Sequence, residues 1–600
     1  KASEVSKAEH DPVGTRISII SYWNTIGAIT GSFSAGFILI PFFSQFGSGI
    51  SNSIKFILIV AFITAATSLF VNKESNKIPA LVFLIISATL CAIFLPNLAK
   101  NTLNSGTEIY KAGKFKDISK EEFLNSSERI VFYREGLNSI VTVVEDPAAN
   151  AMFLKNNGKI EAGIPLNEAY PSKADTTTQT LLGMLPVSLK PDSKTALVVG
   201  MGSGKTVESL SIIGKENHLK EITVCELEKE VYKAAQQFFV RDFPVDVKKK
   251  TVDARTYLST SEEEFDLIIS QPSDPWVSGT LFTQEFWHKV KSHLKDGGLF
   301  FQWLQLYSLD EEHLKIALRT FHEVFPHAYV FRPPHSAELI LLGSDGLNFF
   351  DIKAIEKSIT HEKVRRKLIQ IGITDTAELL ASLILTPKDF TNIPEPKNRK
   401  DDYFSTDDNM SLELHTSKNI DNFYDSIKAN SLYLKNLQNS NYLYQLFTSF
   451  EEYNFLNKLS IAHNKLKTPI HQKIAQDLAD KMHQEHKSPL SYLAQYEIYK
   501  SRNELERADS ILYQASRDYS DSIALLQSQS VIFQNLQDDF YYDFDQNLAL
   551  YKIFTRQQDY DNALKVQRLL KEQILKKDSK LRAIYKAEIF YETSQSQLVN

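Results

Sequence analysis

Apolar positions follow three different rhythms along the chain. Ile17–Phe43, Phe56–Val71 and Ala80–Leu95 carry no charged residue. The first is long enough to cross a bilayer and the other two are short but equally bare, which predicts three transmembrane helices within residues 1–100. Gly27 and Gly31 stand at the GxxxG spacing that lets helices pack closely in lipid. Residues 97–127 read as a polar connector. Between 127 and 170 the runs shorten to a small β-domain: Arg129–Glu145 reads as two strands around Gly136–Ser139, and Asn156-Asn157-Gly158 is a hairpin signal between 151–154 and 159–162.

From 171 to 345, short apolar strands alternate with amphipathic helices. The pattern predicts strands at 195–199, 222–225, 250–252, 265–269, 298–301, 328–331 and 338–342. Helices are expected at 175–185, ending at Pro186, and at 205–213, 231–240, 283–294 and 309–325. Such alternation gives a doubly wound, mainly parallel, Rossmann-like sheet, with ligands beyond the carboxyl ends of its strands. Residues 346–425 read as a helical extension broken by Pro394-Glu395-Pro396. Residues 440–600 read as helical and rich in tyrosine. Within them Leu493-Ala494-x-Tyr496 matches Leu548-Ala549-x-Tyr551 at an offset of 55, which suits stacked helical hairpins of the tetratricopeptide kind and a surface for a protein partner.

The chemistry concentrates in Thr195–Glu226. A strand runs into Gly200-Met201-Gly202-Ser203-Gly204, a helix follows, and a second strand ends on Glu226, 22 positions beyond Gly204. Glycines allow the sharp turn and close backbone approach to a ligand, and a carboxylate at the end of the next strand can accept hydrogen bonds from both ribose hydroxyls. Position 205 is lysine, which excludes the third glycine of a dinucleotide fingerprint; position 199 is valine, which excludes a phosphate-binding P-loop. A nucleoside-bearing ligand is expected. Asp253 and the segment Gln271-Pro272-Ser273-Asp274 end the following strands and join the same crevice.

Composition narrows this further. A net charge of −6 argues against nucleic acid as a partner. Cys91 and Cys225 are the two cysteines, so neither a disulfide framework nor a cysteine-based zinc site is expected. His288, His293, His313, His322, His327 and His335 lack ligand spacing, and neither a metal nor a prosthetic group is expected. The chain opens on lysine rather than methionine, which leads us to expect further membrane helices upstream. Lysines 73 and 77 point one way across the membrane and lysines 100, 111, 114 and 116 the other. The catalytic part is expected in the cytoplasm, where such nucleosides occur, beneath a bacterial inner membrane.

Several segments together resemble the spermidine synthases, in particular their membrane-fused branch. These are Asn24–Pro41, Phe132–Gly136, Asp175–Pro186, Val199–Gly204, Pro272–Trp276, Gln302–Tyr307 and Ser405–Asp408, spread over roughly residues 17–420. The resemblance implies a β-hairpin domain ahead of a class I methyltransferase-like sheet. It also implies an aminopropyl group passed from decarboxylated S-adenosylmethionine to an amine or polyamine, and dimers or tetramers. By this resemblance Glu226 holds the ribose, Asp253 and the adjoining Ala254 meet the adenine, and Gln179 contacts the donor. The family's Asp-Ser-Ser-Asp-Pro stands here as Gln271-Pro-Ser-Asp274-Pro, so the usual base is glutamine and Asp274 remains to take its place. Ser203 stands where the family's glycine turn carries an aspartate, and Thr178 where a tyrosine is usual. Three readings stay open: aminopropyl transfer, methyl transfer from intact S-adenosylmethionine, and a catalytically silent polyamine or nucleoside sensor.

Overall fold

The apolar N-terminal stretches form helices. Helix α1 (Val13–Phe33) passes through a wide π turn at Ser34–Leu39 into α2 (Ile40–Ser44), followed by α3 (Gly49–Val71) and α4 (Ile78–Phe94). Pro41 has no N–H to offer the preceding turn, and the π turn absorbs that break. Ile17–Ser44 and Gly49–Ser68 are long and apolar enough to cross a membrane by length and composition, whereas the third stretch, Ile78–Cys91, is shorter. Large side chains such as Trp23, Ile29, Phe37 and Phe83 stand exposed on them.

The computed structural model describes residues 13–71, 78–94, 128–166, 176–240, 242–346, 350–395, 403–416, 422–448 and 453–518, with positions 100, 104, 106 and 418. Most of the expected connector at 97–127 and the whole polar run at 397–402 therefore lie outside the described residues. Two units emerge, one comprising the chain up to Thr374 with Pro394–Asn430, the other Asp375–Ile393 with Ser431 onward. The expected helical extension is thus divided between them.

Helix α3 starts at Gly49 rather than at Phe56, because strand β1 (Arg129–Glu135) supplies partners for its polar first turn. Glu135, 2% exposed, accepts from Ser48 Oγ (2.9 Å), from the Ile50 N–H and from the Tyr133 hydroxyl (2.7 Å), while its own N–H donates to Ser44 Oγ (2.7 Å). Burial and the adjoining carboxylate hold the Tyr133 phenol far above its ordinary range. Glu135→Ala should orphan these donors and lower stability by about 1–3 kcal/mol. The thermal midpoint of the purified chain measures this, and an unchanged midpoint would contradict it.

Strands β1, β2 (Ile140–Asp146), β3 (Ala151–Asn156) and β4 (Lys159–Pro165) form an antiparallel sheet in that order. The β3–β4 turn places Asn157 at φ 49° and Gly158 at φ 83°, the left-handed pair that a two-residue hairpin needs. Helix α5 (Thr176–Leu189) then runs through Pro186 instead of ending at it. Leu182, Leu185 and Val187 are buried around it, and their packing outweighs one missing N–H.

The α/β region follows as β5 (Thr195–Val199), α6 (Lys205–Glu216), β6 (Glu221–Glu226), α7 (Lys229–Ala234), β7 (Asp246–Thr251), α8 (Ala254–Thr260), β8 (Phe265–Ser270), α9 (Pro275–Ser278), α10 (Gln284–Lys291), β9 (Leu294–Gln305), α11 (Glu311–Val324), β10 (Tyr329–Phe331) and β11 (Glu338–Gly343). Within the first unit the sheet order is β10-β11-β9-β8-β5-β6-β7. The pairs from β9 to β7 are parallel and those joining β9, β11 and β10 antiparallel, so the sheet is mixed. β9 begins earlier than the apolar pattern predicts: it includes Gly297 and Gly298, and the register against β8 shifts there, so that the glycines form an irregularity inside the strand.

In the C-terminal unit, helices Tyr453–Leu466, Pro469–Glu485, Pro489–Ser501 and Leu505–Asp518 follow one another. Ile461, Ala475, Ala479, Leu490, Ala494 and Ile498 pack as their core. Ala494 of the expected repeat lies in that core. The matching stretch at 548–563 lies outside the described residues.

Candidate active site

A cavity of about 1050 Å³ lies beyond the carboxyl ends of β5, β6 and β8 and under the β-hairpin sheet. One half is built from the glycine turn. Gly200, Gly202 and Gly204 adopt φ of 88°, 51° and 80°, and a Cβ on Gly200 would stand 2.7 Å from the Gln271 carbonyl oxygen. Gly200→Ala combines left-handed strain with that backbone clash and should cost about 1–3 kcal/mol or more. Chemical denaturation of the purified chain reads this, and wild-type stability would argue against so tight a crossing of the two loops.

Glu226 secures the turn from the neighbouring strand. Its Oε2 accepts the Met201 N–H and its Oε1 the Glu228 N–H, both at 2.9 Å. Burial pushes its pKa up, while those two N–H groups act in the opposite direction. Each oxygen keeps lone-pair capacity towards the cavity. Asp253 caps α8 by accepting from the Thr256 N–H (2.9 Å), and Ala254 opens that helix; both line the cavity. Gln179, reaching in from α5, accepts a 2.7 Å hydrogen bond from Ser203 Oγ. The structure thus brings the residues expected around a nucleoside, Gly200, Gly202, Ser203, Gly204, Glu226, Asp253, Ala254 and Gln179, onto one cavity or into the turn that shapes it.

Two sequence motifs hold this frame in place. Glu228, just past Glu226, accepts from the Asn138 N–H (2.9 Å), and a Cβ on Gly136 would stand 2.2 Å from its carboxyl carbon. The β1–β2 turn is thereby seated on the start of α7. Asp407, from Ser405–Asp408, pairs bidentately with Arg255 and accepts from Thr283 Oγ1 at 2.7 Å; the guanidinium holds its carboxyl below the usual range.

The other half gathers around Asp274. Gln271 does not reach into it freely: its amide nitrogen donates to the Gly200 carbonyl (2.8 Å) and its amide oxygen accepts from Thr206 Oγ1 (2.5 Å), tying β8 to the glycine turn. Asp274 is fully buried and makes no side-chain capping bond to α9. Its Oδ2 lies 2.6 Å from Lys159 Nζ, and neither carboxylate oxygen has a well-aligned hydrogen-bond donor among the described residues. Lys159 also reaches Glu161 Oε2 (3.2 Å) and donates to Ser273 Oγ (3.3 Å), which in turn donates to Glu161 Oε1 (2.8 Å). Burial works against the Lys159 charge, but Asp274 and Glu161 overcome it and hold the ammonium protonated well above its ordinary range. Burial also drives the Glu161 pKa upward, against the pull of Lys159. Trp276, Trp303, Tyr307 and Phe423 wall this half, with Tyr307 and Phe423 stacked at 4.7 Å. Trp276 therefore lines the cavity, whereas Trp287 is buried in the core.

Lys159 and Glu161 were not singled out by the sequence, although their i, i+2 spacing on a strand does put both on one face. What the spacing could not give was the partner: Asp274 lies on another strand's loop, more than a hundred residues away. Among the described residues no group of three or more histidine, cysteine, aspartate or glutamate side chains is placed to hold a metal ion.

Residues 176–336 match the spermine/spermidine synthase domain family. The polyamine aminopropyltransferase of Thermotoga maritima is 29% identical over 158 residues, 25% of this chain and 52% of that protein. That of Clostridium beijerinckii is 29% identical over 120 residues, 19% of this chain and 41% of that protein. The chain thus spans about half the length of the curated relatives it matches. Among solved structures, the spermidine synthase from Thermotoga maritima aligns at 21% identity and a TM-score of 0.34, covering 44% of this chain and 87% of that one.

Proposed function

We propose that this chain is a membrane-anchored aminopropyltransferase, which takes decarboxylated S-adenosylmethionine as donor and an amine as acceptor. One observation carries the reading: a fully buried carboxylate, Asp274, faces the same cavity as the glycine turn and already holds an ammonium at 2.6 Å. The match of residues 176–336 to the synthase domain and the relatives named polyamine aminopropyltransferase support it. The apolar helices Ile17–Ser44 and Gly49–Ser68 support the anchoring.

In this reading Glu226 takes the ribose hydroxyls, Asp253 and Ala254 border the adenine, and Gln179 with Ser203 lines the path of the aminopropyl arm. The sulfonium is already activated. The acceptor nitrogen attacks the aminopropyl carbon bonded to sulfur, the C–S bond breaks, methylthioadenosine leaves, and the proton passes to Asp274. Gln271 holds the turn and takes no proton.

Calorimetric titration of the full chain in detergent with decarboxylated and intact S-adenosylmethionine tests this. Tighter binding of the decarboxylated form, with methylthioadenosine released on adding an amine, is expected. Preference for the intact form would redirect the assignment to methyl transfer, and binding of neither would remove the nucleoside site.

A further inference from the structure

We infer that the acceptor is a zwitterion, an α-amino acid with an apolar side chain, whose amine is taken by Asp274 and whose carboxylate is taken by Lys159. The inference rests on the transfer reading above. Both protein groups line the cavity, 2.6 Å apart and of opposite charge, with Asp274 wholly buried and the Lys159 side chain 12% exposed. Lys159 stands between Asp274 and Glu161, and its ammonium beside the Asp274 carboxylate is complementary to the adjacent carboxylate and ammonium of an amino acid.

Charge arithmetic separates this acceptor from a diamine. A diammonium reaches Asp274 only by displacing Lys159, which leaves the buried Lys159 ammonium with Glu161 as its carboxylate partner and a dication beside it. A zwitterion instead exchanges one ion pair for two and adds no net charge. Lys159 has little room to withdraw. The tight Asn157-Gly158 turn fixes its backbone, Glu161 and Ser273 hold its ammonium, and Trp276 lies 5.7 Å away beneath it. The remaining wall of Trp303, Tyr307 and Phe423 receives an apolar side chain. In transfer, the amino acid nitrogen attacks the donor carbon, the C–S bond breaks with loss of methylthioadenosine, and the nitrogen's proton goes to Asp274. The carboxylate stays on Lys159 unreacted.

The test is equilibrium binding of three probes to the full detergent-solubilised chain, with and without methylthioadenosine: L-phenylalanine, phenethylamine (the same amine without its carboxylate) and putrescine. L-phenylalanine is expected to bind at least about tenfold more tightly than either amine. In Lys159→Met that preference over phenethylamine should vanish, and in Lys159→Arg it should persist. Putrescine binding as tightly as L-phenylalanine, an unchanged ratio in Lys159→Met, or no L-phenylalanine binding at millimolar concentration would each overturn the inference. Since Lys159→Met strands the Asp274 charge, the wild-type ratio decides alone if that variant does not fold. A separate titration with decarboxylated S-adenosylmethionine keeps the two failures apart. Donor binding together with a putrescine preference defeats only the zwitterion, whereas an amino-acid preference without donor binding defeats only the transfer reading.

Discussion

Under the proposed function, Asp274→Asn should reduce aminopropyl transfer by about 10²- to 10⁴-fold while leaving donor affinity within a few-fold of wild type. The substitution is nearly isosteric, and the Asp274 side chain makes no bond that caps α9, so local backbone structure has no reason to change. What disappears is a proton acceptor and a negative charge in a fully buried position. The buried Lys159 would keep Glu161 and Ser273 as partners but lose its 2.6 Å contact, so some stability is lost as well. Methylthioadenosine release followed by mass spectrometry, beside donor calorimetry on the same preparation, separates the two effects. Transfer at the wild-type rate would assign the proton to another group, and parallel loss of donor binding would point to collapse of the cavity.

Glu226→Ala should act on the opposite half and weaken donor binding by about 10- to 100-fold, the range for losing charge-assisted hydrogen bonds to two hydroxyls. The Met201 and Glu228 N–H groups lose their acceptor too, so the glycine turn loosens and some of the effect arises there. A pH series distinguishes direct contact from loosening. In the proposed placement ribose hydroxyls donate to the carboxylate, so donor affinity should fall as pH drops through the pKa of Glu226. Burial raises that pKa, so the fall begins at higher pH than for an exposed glutamate. In Glu226→Ala this step should be absent. Affinity unchanged by the substitution, with the same pH profile, would place the ribose elsewhere.

The parts of this molecule legible in the sequence are those governed by local rules. Gly200, Gly202 and Gly204 mark a turn with positive φ, Glu226 follows at the length of one helix and one strand, and Asn157-Gly158 makes a hairpin wherever it stands between strands. The errors arose where packing overrules local preference. Pro186 reads as a helix end but sits inside α5 because its neighbours are buried. The strand expected at 298–301 already begins at Leu294, and a register shift accommodates Gly297 and Gly298 within β9. Least legible was the Lys159–Asp274 pair. One member lies on a hairpin strand and the other in the loop after β8, and no periodicity relates the two. Gln271 illustrates the same gap, since it stands where the resembled family carries its base and the structure engages both ends of its amide within the scaffold.

The buried Glu135 decides where this chain can be divided without loss of structure. It belongs to the first strand of the hairpin sheet, yet its oxygens serve Ser48 and Ile50 at the head of an apolar helix, and Gly49 permits the close pass between them. A recombination joint between the apolar helices and the first strand would sever these contacts even though it cuts no secondary-structure element. The apolar helix and the first strand therefore form one structural unit, and the sheet that presents Lys159 to the cavity comes with the helix on which its first strand is seated.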